Sequence, residues 1–273
     1  MKKSLKTFII KHFFSLYILK QVSYLRKGYN SFNGKYLLNS HKKSETEDNK
    51  TINELRDFFL KKKEGKGIWK WNHYFDIYDS HLRKFKGKKI NILEIGVYSG
   101  GSIEMWLSYF GAGSMVYGVD IEESCKYYED DNVRIYIGDQ QDREFWKRLK
   151  LECPLFDVVI DDGGHEAKQQ IVTLEELLPH IKEGGVYICE DIHHSNNSCT
   201  FYINGLVHKL NEFDPIENIK NPDKRITSKA KSFQKVINSI HFYPFITVIE
   251  KNSTSVNEFS ASKKGTKWQP FLK

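Results

Sequence analysis

The stretch FDVVIDDGGHEAKQQ, residues 156–170, ends an apolar run abruptly in two carboxylates, two glycines and a histidine. Asp161 and Asp162 side by side at the end of a buried strand are costly unless something positive lies beside them. His165 follows Asp162 by three residues, and a neutral imidazole titrates near working pH, so it can take a proton from an alcohol. A second acidic pair, Glu190 and Asp191 in CED at 189–191, closes a later apolar run. Acids and an imidazole that converge in space can hold a cation and activate a hydroxyl next to it.

Convergence has to come from the elements that carry these residues. INILEIG, SMVYGVDI, VRIYIGD, FDVVIDD and GGVYICED are each short, rich in β-branched residues, and end in an acid. Helix-like segments at 101–110, 142–150 and 166–181 alternate with them, and two more helical patterns precede them at 51–62 and 73–85. This rhythm predicts an α/β fold, a Rossmann-like doubly wound and mostly parallel sheet with helices on both faces. VINSIHFYPFITVIEKN has two strand-like runs around Pro244 and no room for a helix, which predicts a terminal antiparallel hairpin. In an open α/β sheet, ligands bind beyond the carboxyl ends of the strands, near the point where strand order reverses. Glu94, Asp120, Asp139, Asp161, Asp162, Glu190 and Asp191 all gather on that edge.

The rest of the chain divides by composition. Residues 1–44 hold ten Lys or Arg and no Asp or Glu, so the remainder carries 32 basic against 35 acidic residues. A mildly acidic body excludes a nucleic-acid-binding face there. We expect a basic aromatic N-terminal helical extension and linker over 1–50, one domain over 51–252, and a polar tail over 253–273. The run FIIKHFFSLYIL at 8–19 is shorter than the about 20 apolar residues a spanning helix needs, and Lys11 and His12 interrupt it. No small-residue cleavage site follows it. A helix of this kind within residues 1–27 either makes peripheral contact with an anionic membrane surface or docks on the body or a partner subunit, and the sequence leaves both open. Cys125, Cys153, Cys189 and Cys199 show no CxxC pair, and Cys153 and Cys189 sit in or beside apolar runs. Reduced cysteines and a cytoplasmic setting are expected.

The first strand turns through LEIGVYSGGS, 93–102, where glycines at 96, 100 and 101 let a ligand approach the backbone of a helix start. A nicotinamide dinucleotide prefers GxGxxG; here the spacing is GxxxGG with Glu94 just before it, which suits a cationic or amine-bearing ligand. Asp120 can accept ribose hydroxyls, and Asp139 can accept from an adenine amino group. These spacings resemble a class I S-adenosylmethionine-dependent methyltransferase, with Glu94 and Gly96 in its first motif. Ser102, Gln140 and Asp161 complete the expected cofactor set, although Asp161 is as well suited to orienting the turn.

In that fold the first strand neighbours the fourth, and the fourth the fifth, with strand tips about 4.8 Å apart. Asp162, Glu190 and Asp191 would then offer three hard oxygen donors suited to Mg²⁺. LEIGVYSGGSIEMW, GVDI, GDQQD, IDDGGH and EDIH together resemble the metal-dependent sugar O-methyltransferases of the macrolide (mycinamicin) and rhamnosyl type, with cephalosporin-hydroxylase-like relatives. The resemblance covers roughly residues 64–252. It implies a seven-stranded sheet, S-adenosylmethionine and Mg²⁺ as cofactors, and Asp162, Glu190 and Asp191 as metal ligands. It also implies His165 as the base, a sugar-containing acceptor, and a tendency to homo-oligomerise. The family often carries an aromatic residue after EDIH, whereas this chain reads HSNNSCTFY. Two alternatives stay open at this level: a nicotinamide-dependent oxidoreductase or epimerase, for which no YxxxK pair is found, and a non-catalytic methyltransferase-like scaffold.

Overall fold

The computed structural model describes residues 19, 21–24, 26–28, 53–193, 197–215, 226–262, 264 and 265. The chain divides into two units, Met1–Thr51 and Ile52–Lys273. In the first, the described residues between 19 and 28 are helical, while the rest of the extension and linker expected over 1–50 lies outside the described residues. The second unit carries everything that follows.

Two helices lead in. Helix α1, Glu54–Lys61, starts where the Asn53 side chain accepts from the Arg56 N–H, and carries acids in its first turn and Lys61 in its last. Helix α2, Tyr74–Leu82, buries an almost continuous aromatic face of Tyr74, Phe75 and Tyr78. Strand β1 (Asn91–Ile95) and helix α3 (Gly101–Phe110) follow, then β2 (Met115–Asp120), β3 (Val133–Ile137), α4 (Arg143–Glu152), β4 (Phe156–Asp161), α5 (Ala167–Leu177), β5 (Ile181–Cys189) and α6 (Cys199–Leu210). The chain continues with β6 (Ile226–Lys229), the short α7 (Ser232–Val236), the hairpin β7 (Ile237–Tyr243) and β8 (Ile246–Lys251), and β9 (Glu258–Ala261).

Seven strands form one sheet in the order β3-β2-β1-β4-β5-β8-β7. β1 to β5 are parallel, and β8 and β7 add the antiparallel hairpin expected around Pro244. Strand order reverses between β1 and β4, so the switch point lies where DDGGH leaves the sheet. Alternating side chains feed two cores. Ile92, Val158, Ile160, Val186 and Ile188 pack under Tyr78, Trp106 and Phe110. Leu93, Val159, Tyr187 and Ile249 pack on the other face with Trp146, Leu149, Leu174 and Ile203. A sheet buried on both faces accounts for strands that read as near-continuous apolar runs.

Two boundaries differ from expectation. Helix α5 ends at Leu177, a 3-10 turn through Pro179 takes over, and β5 begins at Ile181, which pairs with Phe156 ahead of a register shift. The stretch expected as a polar tail contributes β9, which pairs antiparallel with β6 outside the main sheet. All four cysteines are buried and free. Among the described residues no helix is long and apolar enough to cross a membrane.

Candidate active site

The tips of β1, β4 and β5 remain laced together beyond the sheet. Asp162 N–H donates to Ile95 O, and Glu190 N–H donates to Asp161 O, each at 2.9 Å. Gly96, at φ +87°, lies so close beneath Asp162 that a Cβ on it would stand 2.0 Å from the Asp162 carbonyl oxygen. Only glycine meets both demands. This lacing sets the DDGGH turn beside the CED turn.

The acids of these turns are held by residues from elsewhere in the chain. A strap, residues 62–73, crosses the carboxyl edge between α1 and α2. The Gly101 N–H donates to Gly67 O at 3.0 Å, so the strap takes one of the helix-start N–H groups expected to face a ligand. From it Lys70 turns inward, its side chain 2% exposed, and places Nζ 2.5 Å from Asp162 Oδ2 and 3.0 Å from Glu190 Oε2. Burial alone would lower the ammonium's pKa, but the charges of Asp162 and Glu190 outweigh it and hold it above the ordinary lysine range. Lys70 sits closer to Asp162, which leaves Glu190 the less compensated acid. Burial, with repulsion from Asp162 added, pushes Glu190 up to about 8, against the pull of Lys70 and of Tyr78, whose hydroxyl donates to Oε1 at 2.6 Å.

Asp191 is held from the other side. Its Oδ1 accepts from Trp71 Nε1 at 2.9 Å and from the Tyr74 hydroxyl at 2.8 Å. Burial first, and Asp191 second, raise the Tyr74 phenol, which stays a donor. The remaining oxygens, Asp162 Oδ1 and Asp191 Oδ2, face His165 Nε2 at 4.0 and 3.7 Å. Two carboxylate oxygens and one imidazole nitrogen lie within 4.8 Å of one another; the oxygens are hard donors that fit a divalent cation, and the nitrogen beside them can accept a proton. His165 Nδ1 is buried with no hydrogen-bond partner among the described residues, an unusual state for a polar atom. Both His165 (φ +58°) and Asp191 (φ +56°) adopt the left-handed conformation, which non-glycine residues enter at a cost.

A cavity of about 810 Å³ opens over this edge. Its acidic half is lined by Lys70, Trp71, Asp162, His165, Glu190, Asp191 and His193. Its other half runs over Gly96, Val97, Ser102, Asp120, Asp139 and Gln140, with Tyr98 74% and Ile121 67% exposed against it. Asp120 accepts the Val97 and Tyr98 N–H groups on Oδ2 and the Glu122 N–H on Oδ1, which leaves about one acceptor position of a carboxylate's four. Asp139 accepts the Gln141 N–H at 2.8 Å.

Two of the expected cofactor acids do not line this cavity. Glu94, fully buried, accepts from Ser102 Oγ and Trp106 Nε1, each at 2.9 Å, and burial pushes it up to about 7. Its place in β1 puts it on the same face as Ile92, beneath α3. Asp161 points to the opposite face, where Gln140 Nε2 and the Tyr187 hydroxyl donate to it, each at 3.1 Å, and burial pushes it up to about 6. Gln140 also accepts the Gly164 N–H at 2.7 Å, so it stitches the β3 and β4 turns together.

Reasoning from sequence missed Lys70, Trp71, Tyr74, Tyr78 and Phe245. The only signal was the density of aromatics around one lysine in GIWKWNHYFDIY. Trp71 and Phe245 stand 5.2 Å apart, with His193 closing the third side at 6.3 and 5.6 Å. An aromatic wall beside Asp191 thus exists without an aromatic residue after EDIH. His194 lies outside the described residues.

Residues 93–192 match the family model described as a methyltransferase domain. Demethylmacrocin O-methyltransferase of Streptomyces fradiae is 34% identical over 148 residues, covering 52% of this chain and 36% of that protein. The 8-demethyl-8-alpha-L-rhamnosyl tetracenomycin-C 2'-O-methyltransferase of Streptomyces olivaceus is 29% identical over 206 residues, 70% of this chain and 53% of that one. The chain therefore spans between about a third and a half of the curated relatives it matches. Among solved structures, the MycE methyltransferase of the mycinamycin biosynthetic pathway, in complex with Mg and SAH, is similar with a TM-score of 0.57 at 26% identity, over 73% of this chain and 54% of that one. Sequence, strand order and structural likeness agree: over residues 93–192 this chain carries a methyltransferase domain.

Proposed function

We propose that the protein is an S-adenosylmethionine-dependent, Mg²⁺-assisted O-methyltransferase that methylates a sugar hydroxyl, with His165 as general base. One observation carries the reading: Asp162 Oδ1, Asp191 Oδ2 and His165 Nε2 face one another in the same cavity that runs over the β1 and β2 tips. Asp162 and Asp191, with Glu190 as a third carboxylate, are the residues that would hold the cation. When bound, it would offset the acids' mutual repulsion and polarise the acceptor hydroxyl. Asp120 and Asp139 supply acceptors for a nucleoside's hydroxyls and amino group, and Tyr98 and Ile121 supply apolar surface beside them.

The chain's own part in the reaction is positioning and proton removal. His165 Nε2 takes the acceptor hydroxyl's proton, which in the neutral ring requires the hydrogen on Nδ1. When bound, S-adenosylmethionine would supply the methyl group to that oxygen, and its sulfur would leave neutral with the electrons of the broken bond, so the chain need offer no acid at the leaving group. Holding oxygen and methyl carbon in line supplies most of the rate. Trp71 and Phe245 offer aromatic faces on which the apolar side of a sugar ring can rest. Relatives named for methylation of macrolide and rhamnosyl sugars support a glycosylated metabolite or glycan as acceptor.

Methyl transfer to a panel of glycosides, with and without chelator, tests the reading. Activity should require a divalent ion and fall by about 10² to 10⁴ in His165→Ala. Turnover that survives both thorough chelation and His165→Ala would reject the mechanism.

A further inference from the structure

The chain answers the cost of its buried acids with a cation of its own. Lys70 Nζ bridges Asp162 Oδ2 and Glu190 Oε2, two carboxylates on neighbouring strand tips, the second of them fully buried, that repel each other when both are charged. The side chain does not reach there by chance of rotamer. The strap is fixed on the near side by Gly101 N–H to Gly67 O and by Lys62 Nζ to Glu104 Oε2 at 2.6 Å. It is fixed on the far side by Trp71 Nε1 to Asp191 Oδ1. Lys70 is held between these anchors, over two of the three acids expected to take a metal.

We propose that Lys70 is a resident counter-cation that competes with the divalent ion for Asp162 and Glu190, so that loading the site requires the strap lysine to give up at least Glu190. The proposal rests on the reading of this cluster as a divalent-cation site. Each oxygen of Glu190 already carries a donor, Oε2 the Lys70 ammonium and Oε1 the Tyr78 hydroxyl, so an ion approaching Oε2 meets a resident positive charge. A dication and an ammonium on the same carboxylates also repel each other, with little water to screen them. Lys70 therefore stabilises the empty site and sets a ceiling on metal affinity. Its role is positioning.

The test uses the full-length protein and Mn²⁺ titration followed by electron paramagnetic resonance, with the Mg²⁺-induced rise in Tm as an independent readout. Lys70→Met keeps the stem and removes the charge. Its metal-free Tm should drop, its Mg²⁺-induced rise should exceed that of wild type, and it should bind Mn²⁺ about tenfold more tightly, equivalent to about 1.4 kcal/mol. Lys70→Arg, which keeps the charge, should stay near wild type. Should Lys70→Met fail to fold, the comparison moves to Glu190→Gln against Glu190→Gln with Lys70→Met, where one unpaired acid is gone, and the double variant should still bind Mn²⁺ more tightly. Wild-type binding that Lys70→Met leaves unchanged or weakens overturns the competition alone. Absence of binding in both wild type and Lys70→Met removes the metal reading and the proposal together.

Discussion

Glu94 offers the sharpest quantitative prediction, because its carboxylate is fully buried, accepts from two donors, and has its protonation displaced first of all by burial. Burial raises it from 4.5 to about 7, opposed only in part by the charge of Lys70 and then by the Trp106 and Ser102 donors. A raised carboxyl pKa means that the folded state holds the proton to higher pH than the unfolded chain does. Stability then falls as pH rises from about 4.5 to about 7 and is level beyond. At about 1.4 kcal/mol per unit the whole effect is about 3 kcal/mol, of which about 2 kcal/mol falls between pH 5 and 7.5. Glu94→Gln replaces the protonated acid by a neutral isostere. Its carbonyl can accept from Trp106, and its amide can donate to the Ser102 hydroxyl, which rotates to suit. Urea unfolding at the two pH values should show the variant within about 1 kcal/mol of wild type at pH 5 and about 2 kcal/mol more stable at pH 7.5. Asp161, raised to about 6, and Glu190, raised to about 8, contribute slopes of the same sign, so the variant flattens the profile without abolishing its slope. A variant less stable than wild type at pH 7.5 would refute the reasoning, because it would show that Glu94 is ionised in the folded protein and that its charge is favourable there.

Two further outcomes follow from the same geometry. Gly96→Ala must place a Cβ 2.0 Å from the Asp162 carbonyl at φ +87°, so equilibrium unfolding should show a loss of about 3 kcal/mol or more, the range of strain and overpacking combined. In steady-state kinetics on a glycoside acceptor, Trp71→Ala should raise KM by about tenfold, whereas Trp71→Phe, which keeps an aromatic face, should change KM by less than about threefold; equal effects would transfer the role from the ring to the indole N–H on Asp191.

What the sequence disclosed was decided by how local each signal is. The five parallel strands were visible because β-branched runs and terminal acids repeat within short windows, and the parallel order brought Asp162, Glu190 and Asp191 to neighbouring tips as that pattern requires. The direction each acid faces was a matter of parity that could have been read. Glu94 shares its face with Ile92, and Ile92 is core, so its carboxylate lies under helix α3 instead of in the cleft. Lys70 was invisible for another reason. It is one lysine among several in KKKEGKGIWKW, and its partners lie 92 and 120 residues away. Only the aromatic residues on either side of it set the lysine that turns inward apart from its neighbours. Trp71 and Phe245 likewise meet only because the strap and the β7–β8 hairpin end on the same rim.

The division of labour within each acid then gives the strained backbone its meaning. Asp162 and Asp191 each give one oxygen to a protein donor and turn the other toward His165, which fixes the carboxylate plane as a single free side chain could not. A left-handed Asp191 costs about 1 to 3 kcal/mol, and so does a left-handed His165. At Asp191 the conformation is held from several directions, by Tyr74, by Trp71 and by the Ile192 N–H on Phe245 O at 2.9 Å. At His165 it is held by Asn197 Nδ2 on the carbonyl. These contacts come from α2, the strap, the hairpin and the approach to α6, so the site is rigid only when the elements around it are docked. A protein that needed these acids merely as surface charge would have no reason to hold them against strain. One that must present two oxygens and an imidazole to a common point does, because orientation lost during the reaction would be charged against its rate.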